Sequence, residues 1–204
     1  MTQPLSYTTD QTDALKELLN IAMGQAADSL ARALGAYITI TIPSIEIVPA
    51  AELAKTQLYT EQREKNISSV RQGFFNDLRG EAIAVFGAQD SHAIADLMGY
   101  DELDNVAEQE LLLDVANVLI GACMTGFGNQ INASIGFAPP SIMNDDVPQH
   151  TLFEKEIPSW NYALLMKLNF SLKEREFSCD MLFFMPEDSI EKVRTAVDKY
   201  LESL

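Results

Sequence analysis

The sequence predicts an α/β fold, of the α+β kind, in which one helix-strand-hairpin-helix unit occurs twice. Segments 13–24 (DALKELLNIAMG) and 110–121 (ELLLDVANVLIG) each place an acidic residue, an asparagine and a glycine at the same spacing. They lie 97 positions apart, and the same separation relates the Pro-Ser-Ile triplets at 43–45 and 140–142. Because unrelated apolar helices would not stay in register from residue 17 to residue 90, this single separation indicates a duplicated unit.

A long helix opens each unit. In the first unit, Thr9 or Asp10 is a suitable N-cap. In the second unit, Asn105 followed three positions later by Glu108 resembles a capping box. Apolar residues then recur at helical spacing, which predicts an amphipathic helix in both units.

Strands and a closing helix complete each unit. Alternating β-branched residues predict a strand over 37–48, and its copy over 135–143 is weaker because Pro139-Pro140 interrupts it. The remaining predicted elements are the hairpin strands 67–75 and 81–86, their copies 164–172 and 177–185, and closing helices over 91–98 and 189–201.

We expect residues 1–204 to form a single pseudo-two-fold symmetric domain, with a first repeat over 9–98 and a second over 105–204. No linker rich in glycine, proline or serine separates the units, and 99–104 is only a short joint. Both copies should therefore share one mainly antiparallel sheet and expose one face of each long helix.

The charge of the chain excludes one class of partner. Its 30 acidic and 14 basic side chains, among 204 residues, give a formal net charge of −16. A nucleic-acid-binding protein needs basic surface to displace counterions from phosphates, so we expect no nucleic-acid partner. The acidity favours solubility and partners that present cationic groups.

The sequence contains no signal for export or membrane insertion. No arginine-rich or apolar leader opens the chain, so we expect a cytoplasmic protein. The most apolar run, 111–128, carries Asp114 and Asn117 near its start. Because a bilayer core would penalise both side chains, we predict a buried helix there and no membrane insertion.

Cysteine and histidine do not form a recognisable site. Cys123 and Cys179 lie in apolar surroundings without close spacing, which predicts buried free thiols. His92 and His150 have no neighbour at ligand spacing, so no zinc site is expected. The sequence has no P-loop, nucleophile elbow or HExxH motif, and we interpret the lone GxG at 126–128 as a loosening of the helix.

Helical geometry turns the motif residues away from the core. At about 100° per residue, each helix has an apolar stripe, and the motif residues lie about 180° from it. Apolar residues also flank the polar face, which suggests a surface that another protein covers. The predicted core stripes are Leu15, Leu19, Ala22, Ala26 and Leu30, and Leu112, Ala116, Leu119, Cys123 and Phe127; the flanks are Leu18, Ile21, Leu111, Val115 and Val118.

An acid and an asparagine three positions apart on an exposed helix face usually serve only to solvate the helix, and that interpretation stays open. The repetition argues against it, because Gly24 and Gly121 follow the two asparagines at the same distance. A glycine costs a helix up to about 1 kcal/mol relative to alanine, and it lets another backbone approach closely. We therefore interpret both glycines as binding positions.

The acidic-x-x-Asn-x-x-x-Gly motif on two long helices resembles the CheC/CheX/FliY family of chemotaxis phosphatases, and it is most similar to the CheC branch. Segment 15–34 (LKELLNIAMGQAADSLARAL) is similar to the first helix of that family, and the resemblance covers nearly the whole chain. It implies a protein aspartyl-phosphate phosphatase, a hydrolase that acts on the phosphoryl-aspartate of a response-regulator receiver such as CheY in two-component signalling.

The resemblance also implies a catalytic role for each polar motif residue. Glu17 and Asp114 would contact the receiver's lysine, and the amides of Asn20 and Asn117 would orient a water for in-line attack on phosphorus. An amide can donate to a phosphoryl oxygen and accept from water, and phosphoryl transfer depends mainly on positioning and electrostatics. The receiver brings its own Mg²⁺, so the resemblance implies no cofactor held by this chain.

One departure and one alternative accompany this prediction. The usual acid of the family is glutamate, whereas Asp114 is one methylene shorter and reaches less far, so the two sites need not be equal. CheC relatives pair with the deamidase CheD, so a non-catalytic adaptor that binds a receiver or a CheD-like protein is the alternative. An asparagine at both sites favours the enzyme, because docking alone would not require the amide.

Overall fold

The computed structural model describes residues 6–49, 66–87, 95, 104–148, 162–172 and 177–203. Most of the predicted closing helix over 91–98 lies outside these residues, within which Ala95 is helical and buried. The described elements are α1 (Thr9–Leu34), β1 (Ile38–Pro49), β2 (Asn66–Asn76), β3 (Gly80–Gly87), α2 (Asn105–Ile131), β4 (Ile135–Phe137), β5 (Ser141–Pro148), β6 (Tyr162–Leu172), β7 (Phe177–Met185) and α3 (Glu187–Glu202).

Seven strands from both units form one antiparallel sheet, which confirms the predicted fold class. The strand order is β1-β6-β7-β3-β2, and β4 and β5 both pair with the free side of β2. The two hairpins, β2–β3 and β6–β7, meet at the centre through β3 and β7. The first strand of each unit pairs with the hairpin of the other unit, β1 with β6 and β5 with β2. The predicted boundaries of the repeats stay a prediction.

The central strand pair locates the pseudo-two-fold axis. In β3 and β7, Ala84 pairs with Met181, its own copy 97 positions later. On either side of this pair, Ala82 pairs with Phe183 and Phe86 with Cys179. A residue can pair with its own copy only where a two-fold axis crosses the sheet, so the axis passes through the Ala84–Met181 pair.

The expectation of one ungapped separation is wrong for the first strand of each hairpin. Ile67 pairs with Gly87, and the copy of Gly87, Phe184, pairs with Leu165, so β2 and β6 are related by 98 positions. The cause lies in the hairpin connections. Five residues separate the last paired positions of the first hairpin, at 74 and 80, whereas four separate those of the second, at 172 and 177.

Among the described residues, the core lies mainly between α1, α2 and α3 and one face of the sheet. Alternate strand residues such as Val70 and Phe74 join the helical stripes in this cluster, and all ten predicted stripe residues are buried. A smaller cluster occupies the other face, where Ile67 and Leu165 take equivalent places. Because side chains alternate between faces along a strand, this equivalence supports the one-residue correction to the repeat.

Both predicted N-caps are displaced by one residue. Thr8 caps α1, since its Oγ1 accepts from Gln11 N at 3.2 Å while Gln11 Oε1 accepts from Thr8 N at 2.9 Å. Asp104 caps α2, since its Oδ1 accepts from the backbone N–H groups of Val106 and Ala107. Both capping residues have extended backbone, so the first helical turn begins after them.

Candidate functional site

The motif residues lie on the exposed faces of α1 and α2. Glu17, Asn20 and Gly24 are exposed on α1. Asp114 and Asn117 are exposed on α2, and Gly121 is half-buried beside them. The predicted helical faces are therefore correct, and each helix brings together an acid, an amide and a glycine on one side.

The apolar flanks of these faces are narrower than the sequence suggested. Leu18 and Leu111 are buried, because they lie close enough to the core stripe to pack beneath the helix. Val115 is half-buried, whereas Ile21 and Val118 are 38% and 48% exposed. Ile21 and Val118 are copies 97 positions apart, and each directly follows a motif asparagine. Each candidate site therefore has one exposed β-branched residue beside its amide.

The glycines divide into two kinds by what surrounds them. A Cβ atom built on Gly24 or Gly121 would meet nothing within 4 Å, so the fold itself does not require glycine at either position. A Cβ atom on Gly126 would lie 2.9 Å from the backbone oxygen of Ala22 on α1. Gly126 therefore permits a close approach of α1 and α2, which corrects our interpretation of it as a loosening of the helix.

A hydrogen bond from the sheet supports the second site. Gln72, a buried residue of β2, donates from Nε2 to Asn117 Oδ1 at 2.7 Å and to the Ala138 backbone oxygen at 2.9 Å. A backbone carbonyl can only accept, so the Gln72 NH₂ group must face Ala138. The same NH₂ group then faces Asn117, which fixes Oδ1 of Asn117 toward the sheet and its Nδ2 away from Gln72.

The interruption of the second unit's first strand creates this support. Pro139 and Pro140 separate β4 from β5, as the sequence predicted. At the break, the Ala138 N–H donates to the Gly73 backbone oxygen at 2.9 Å, while the Ala138 oxygen accepts from the neighbouring Gln72 side chain. The ladder between β2 and β4 ends at Phe137, so the Ala138 oxygen lies beyond it and accepts from a side chain.

The first site has no equivalent support from the sheet. Because β2 and β6 are related by 98 positions, the copy of Gln72 is Phe170, which is buried and apolar. The Asn20 side chain makes no hydrogen bond to another residue of the described part of the chain. The two sites therefore share their helical residues but differ in the strand residue at the equivalent register position.

Sequence reasoning missed Gln72, although a signal for it exists. In β2 the core-facing positions alternate, and Gln72 stands between Val70 and Phe74, which both join the main core. A lone polar residue among core-facing positions must find a hydrogen-bond partner when it is buried. The unpredictable part was the partner, since its identity depends on where α2 crosses β2.

Other reactive groups in the described residues lie away from both motif faces. Cys123 and Cys179 are free and buried, as predicted, and burial raises the pKa of the Cys123 thiol to about 12. The described ranges contain no group of three His, Cys, Asp or Glu side chains that could hold a metal ion. The exposed polar side chains of the repeated motif are carboxylates and amides, which can bind a cation and orient a water.

Segment 106–131 of α2 is long and apolar enough to cross a membrane by length and composition alone. More than half of its most apolar window is buried within the molecule, where it packs on α1 and the sheet. The helix thus behaves as the core helix that the sequence predicted.

Comparisons with known proteins agree on the fold. The model of the CheC-like family matches residues 11–47, which include Glu17, Asn20 and Gly24. FliY of Thermotoga maritima superposes with a TM-score of 0.70 at 22% identity, covering 96% of this chain and 99% of that one. A chain of a FliG–FliM complex from H. pylori gives a TM-score of 0.58 at 10% identity, covering 93% of this chain and 100% of that one.

A chemotactic CheC-like protein from Shewanella oneidensis MR-1 gives a TM-score of 0.51 at 12% identity, covering 82% of this chain and 96% of that one. The resemblance to the CheC-like family is confirmed, whereas a particular likeness to CheC is not, since the FliY structure superposes better. At these identities the superpositions demonstrate the fold alone.

Proposed function

We propose that this protein is a phosphatase that removes the phosphoryl group from the aspartate of a CheY-like receiver. Most of its first helix and of its first strand lies in the segment that matches the CheC-like family. The observation that carries the proposal is the exposed trio of acid, asparagine and glycine on α1, repeated on α2. The open space around Gly24 and Gly121 supports it, because a partner's backbone can approach both helices there.

The proposed mechanism assigns separate tasks to the acid and the amide. Glu17 or Asp114 binds the lysine of the receiver, which orients the helix along the receiver's active site. Asn20 or Asn117 then orients a water in line with the bond from phosphorus to the aspartate oxygen. The water oxygen bonds to phosphorus while the bond from phosphorus to the aspartate oxygen breaks. Inorganic phosphate takes up the water's protons, and the aspartate is regenerated. Such positioning is the main contribution that a protein makes to phosphoryl transfer.

The receiver supplies the rest of the chemistry in this proposal. Its Mg²⁺ stabilises charge on the transferring group, and its lysine is the cation that the carboxylate meets. A net charge of −16 favours approach to a cationic group and disfavours nucleic acid. A receiver substrate also implies that the protein works in the cytoplasm.

A non-catalytic adaptor is the second candidate. The observation that favours it is the similarity to FliM chains, one in a complex with FliG and another in a complex with SpeE. In this alternative the same helices dock a receiver, a flagellar switch protein or a CheD-like deamidase without hydrolysis. The two candidates differ in one respect that can be measured, namely whether the asparagine amides are needed for phosphate release.

The test is phosphate release from a receiver domain phosphorylated on aspartate, with and without the protein. The wild-type chain should accelerate release, and Asn20→Ala with Asn117→Ala together should reduce the acceleration by about 100-fold or more, because the water loses its orientation. Asn129→Ala, at an exposed asparagine of α2 outside the motif, is the matched control and should retain full activity. Equal phosphate release from the double variant and the wild type would refute the mechanism.

Binding separates the two candidates further. The double variant should still bind the receiver in its beryllofluoride-activated form, since the acids and the apolar residues beside the amides remain. The adaptor would be established if the wild-type chain binds receiver domains from its own organism but accelerates phosphate release from none of them.

A further inference from the structure

The second site contains a residue that the repeated motif does not include. Gln72 lies on β2, outside both helices, and its side chain is 1% exposed. Its Nε2 donates to Asn117 Oδ1 at 2.7 Å and to the Ala138 oxygen at 2.9 Å, so both of its N–H bonds are used. We infer that Gln72 is a positioning residue that fixes the Asn117 amide for water orientation, an inference that rests on the proposed phosphatase function.

The orientation of the Gln72 amide cannot reverse. Turning it over would place its oxygen against the Ala138 carbonyl, and two acceptors cannot form a hydrogen bond. Gln72 Oε1 is buried without a hydrogen-bond partner in the described residues, so the present orientation is kept although one polar atom is unsatisfied. A buried unsatisfied atom is unusual in proteins and calls for an explanation, which the two donated bonds supply.

A fixed Gln72 in turn fixes Asn117. One lone pair of Asn117 Oδ1 is engaged by Gln72, which holds the plane of the amide on the exposed face of α2. Both Nδ2 hydrogens and the second lone pair of Oδ1 stay available to a partner. These are the groups that would contact a phosphoryl oxygen and the attacking water, so the second site is ordered before the receiver arrives.

The first site must order its amide during binding. The register equivalent of Gln72 is Phe170, whose side chain cannot form such a hydrogen bond, and no described residue of the sheet holds the Asn20 amide. Ordering one side chain reduces a rate or an affinity by roughly three- to tenfold. We therefore expect the second site to be the faster of the two, although Asp114 is the shorter acid.

The experiment places one substitution in two single-site proteins. Asn20→Ala leaves only the second site, and Asn117→Ala leaves only the first. Gln72→Met keeps a similar volume but removes the donors, and it is added to each protein. With the phosphorylated receiver as substrate, kcat should fall roughly three- to tenfold in the Asn20→Ala protein, with KM changed less than twofold. The kcat of the Asn117→Ala protein should not change.

The two backgrounds separate positioning from general damage. A loss of packing under α2 would lower the activity or the folded fraction of both proteins, whereas positioning acts only through Asn117. An unchanged kcat in the Asn20→Ala protein, or an equal fall in both proteins, would overturn the inference. Gln72→Leu provides a second variant, because an aliphatic side chain cannot donate to Ala138 or Asn117, and it should lower kcat in the same background.

A measurement on the protein alone, without the receiver, tests the inference independently of the activity. It also does not depend on whether a Gln72 variant folds. In the NMR spectrum, the Nε2 hydrogens of Gln72 should exchange slowly with water and show contacts to Asn117. Asn117→Ala should shift one of these resonances, and Asn20→Ala should leave both in place. Fast exchange like that of exposed amides would overturn the inference. If neither single-site protein releases phosphate, the proposed function fails, while these resonances still decide whether Gln72 fixes Asn117.

Discussion

The two motif helices carry equivalent exposed residues on different supports. On α1, the asparagine follows a full-length acid, and the strand residue equivalent to Gln72 is the apolar Phe170. On α2, the acid is one methylene shorter, and Gln72 holds the asparagine through a 2.7 Å hydrogen bond. The first site therefore has the longer acid, and the second site has the asparagine that is held by a hydrogen bond.

This difference teaches that a repeated motif need not give repeated sites. The helical residues recur at a separation of 97, but the strand beneath them recurs at 98, because the second hairpin has the shorter connection. A shift of one residue moves every strand side chain to the other face of the sheet. Alignment of the two halves by their helices alone would therefore pair Gln72 with Asn169, which lies on the wrong face, instead of Phe170.

The largest expected effect concerns the contact between the two helices. Gly126→Ala should destabilise the protein by about 1–2 kcal/mol, because a Cβ atom there meets the Ala22 backbone oxygen at 2.9 Å and backbone cannot turn aside. Gly24→Ala and Gly121→Ala should instead leave stability unchanged or raise it by up to about 1 kcal/mol, since nothing lies within 4 Å. Urea unfolding followed by circular dichroism measures all three. Similar free energies for the three variants would mean that α1 and α2 do not make this close contact.

The next effect concerns the amides. Asn117→Ala should retain only about a tenth to a third of the wild-type rate of phosphate release, and Asn20→Ala should retain most of it, because the site that Gln72 preorganises carries most of the turnover. Steady-state kinetics on one phosphorylated receiver compares the two single variants directly. A greater loss from Asn20→Ala would reverse the ranking and make the length of the acid the deciding factor.

A smaller effect concerns the acids. Asp114→Glu restores the missing methylene and should lower KM at the second site by about two- to fivefold, since an exposed ion pair contributes up to about 1 kcal/mol. Glu17→Asp should raise KM at the first site by a similar factor. Both changes are measured in proteins in which the other asparagine is alanine. A change in kcat without a change in KM would contradict the assignment of the acids to receiver binding.

The smallest effect concerns an ion pair that joins the halves. Arg79, in the first hairpin connection, donates from Nε to Asp188 Oδ2 on α3 at 2.8 Å, which holds the pKa of that carboxyl below its usual value. A carboxyl whose folded pKa is lowered stabilises the fold above its unfolded pKa and ceases to do so as the pH falls through the folded one. Asp188→Asn should therefore slightly lower the melting temperature at pH 7, and the difference from wild type should disappear as the pH falls through the lowered pKa of that carboxyl. A difference that persists at low pH would show that the amide disturbs the start of α3 by another route.

The helices were predictable because their signals are local. Every residue that apolar spacing assigned to the two core stripes is buried, and Asn20 and Asn117 are exposed as it predicted. The N-caps were missed by one position, because Thr8 and Asp104 are as suitable as their neighbours and the backbone conformation decides between them.

The remainder depended on contacts between distant parts of the chain. The bond between Gln72 and Asn117 joins residues 45 positions apart, and it exists only because α2 crosses β2 beside the Pro139-Pro140 break. Leu18 and Leu111 were misplaced for a similar reason, since a residue at the border of a helical stripe is covered or exposed according to its neighbours. Gly126 also required knowledge of which helix approaches it.

The exchange of first strands between the units limits how the chain can be divided. A polypeptide that ended near residue 103 would contain β1, β2 and β3, yet the strand that pairs with β1 belongs to the other half. Two identical half-chains would meet this need reciprocally, as a two-fold dimer does, each lending its first strand to the hairpin of the other. The covalent protein therefore has the architecture of such a dimer joined end to end, with different residues, such as Gln72 and Phe170, at equivalent positions of its two halves.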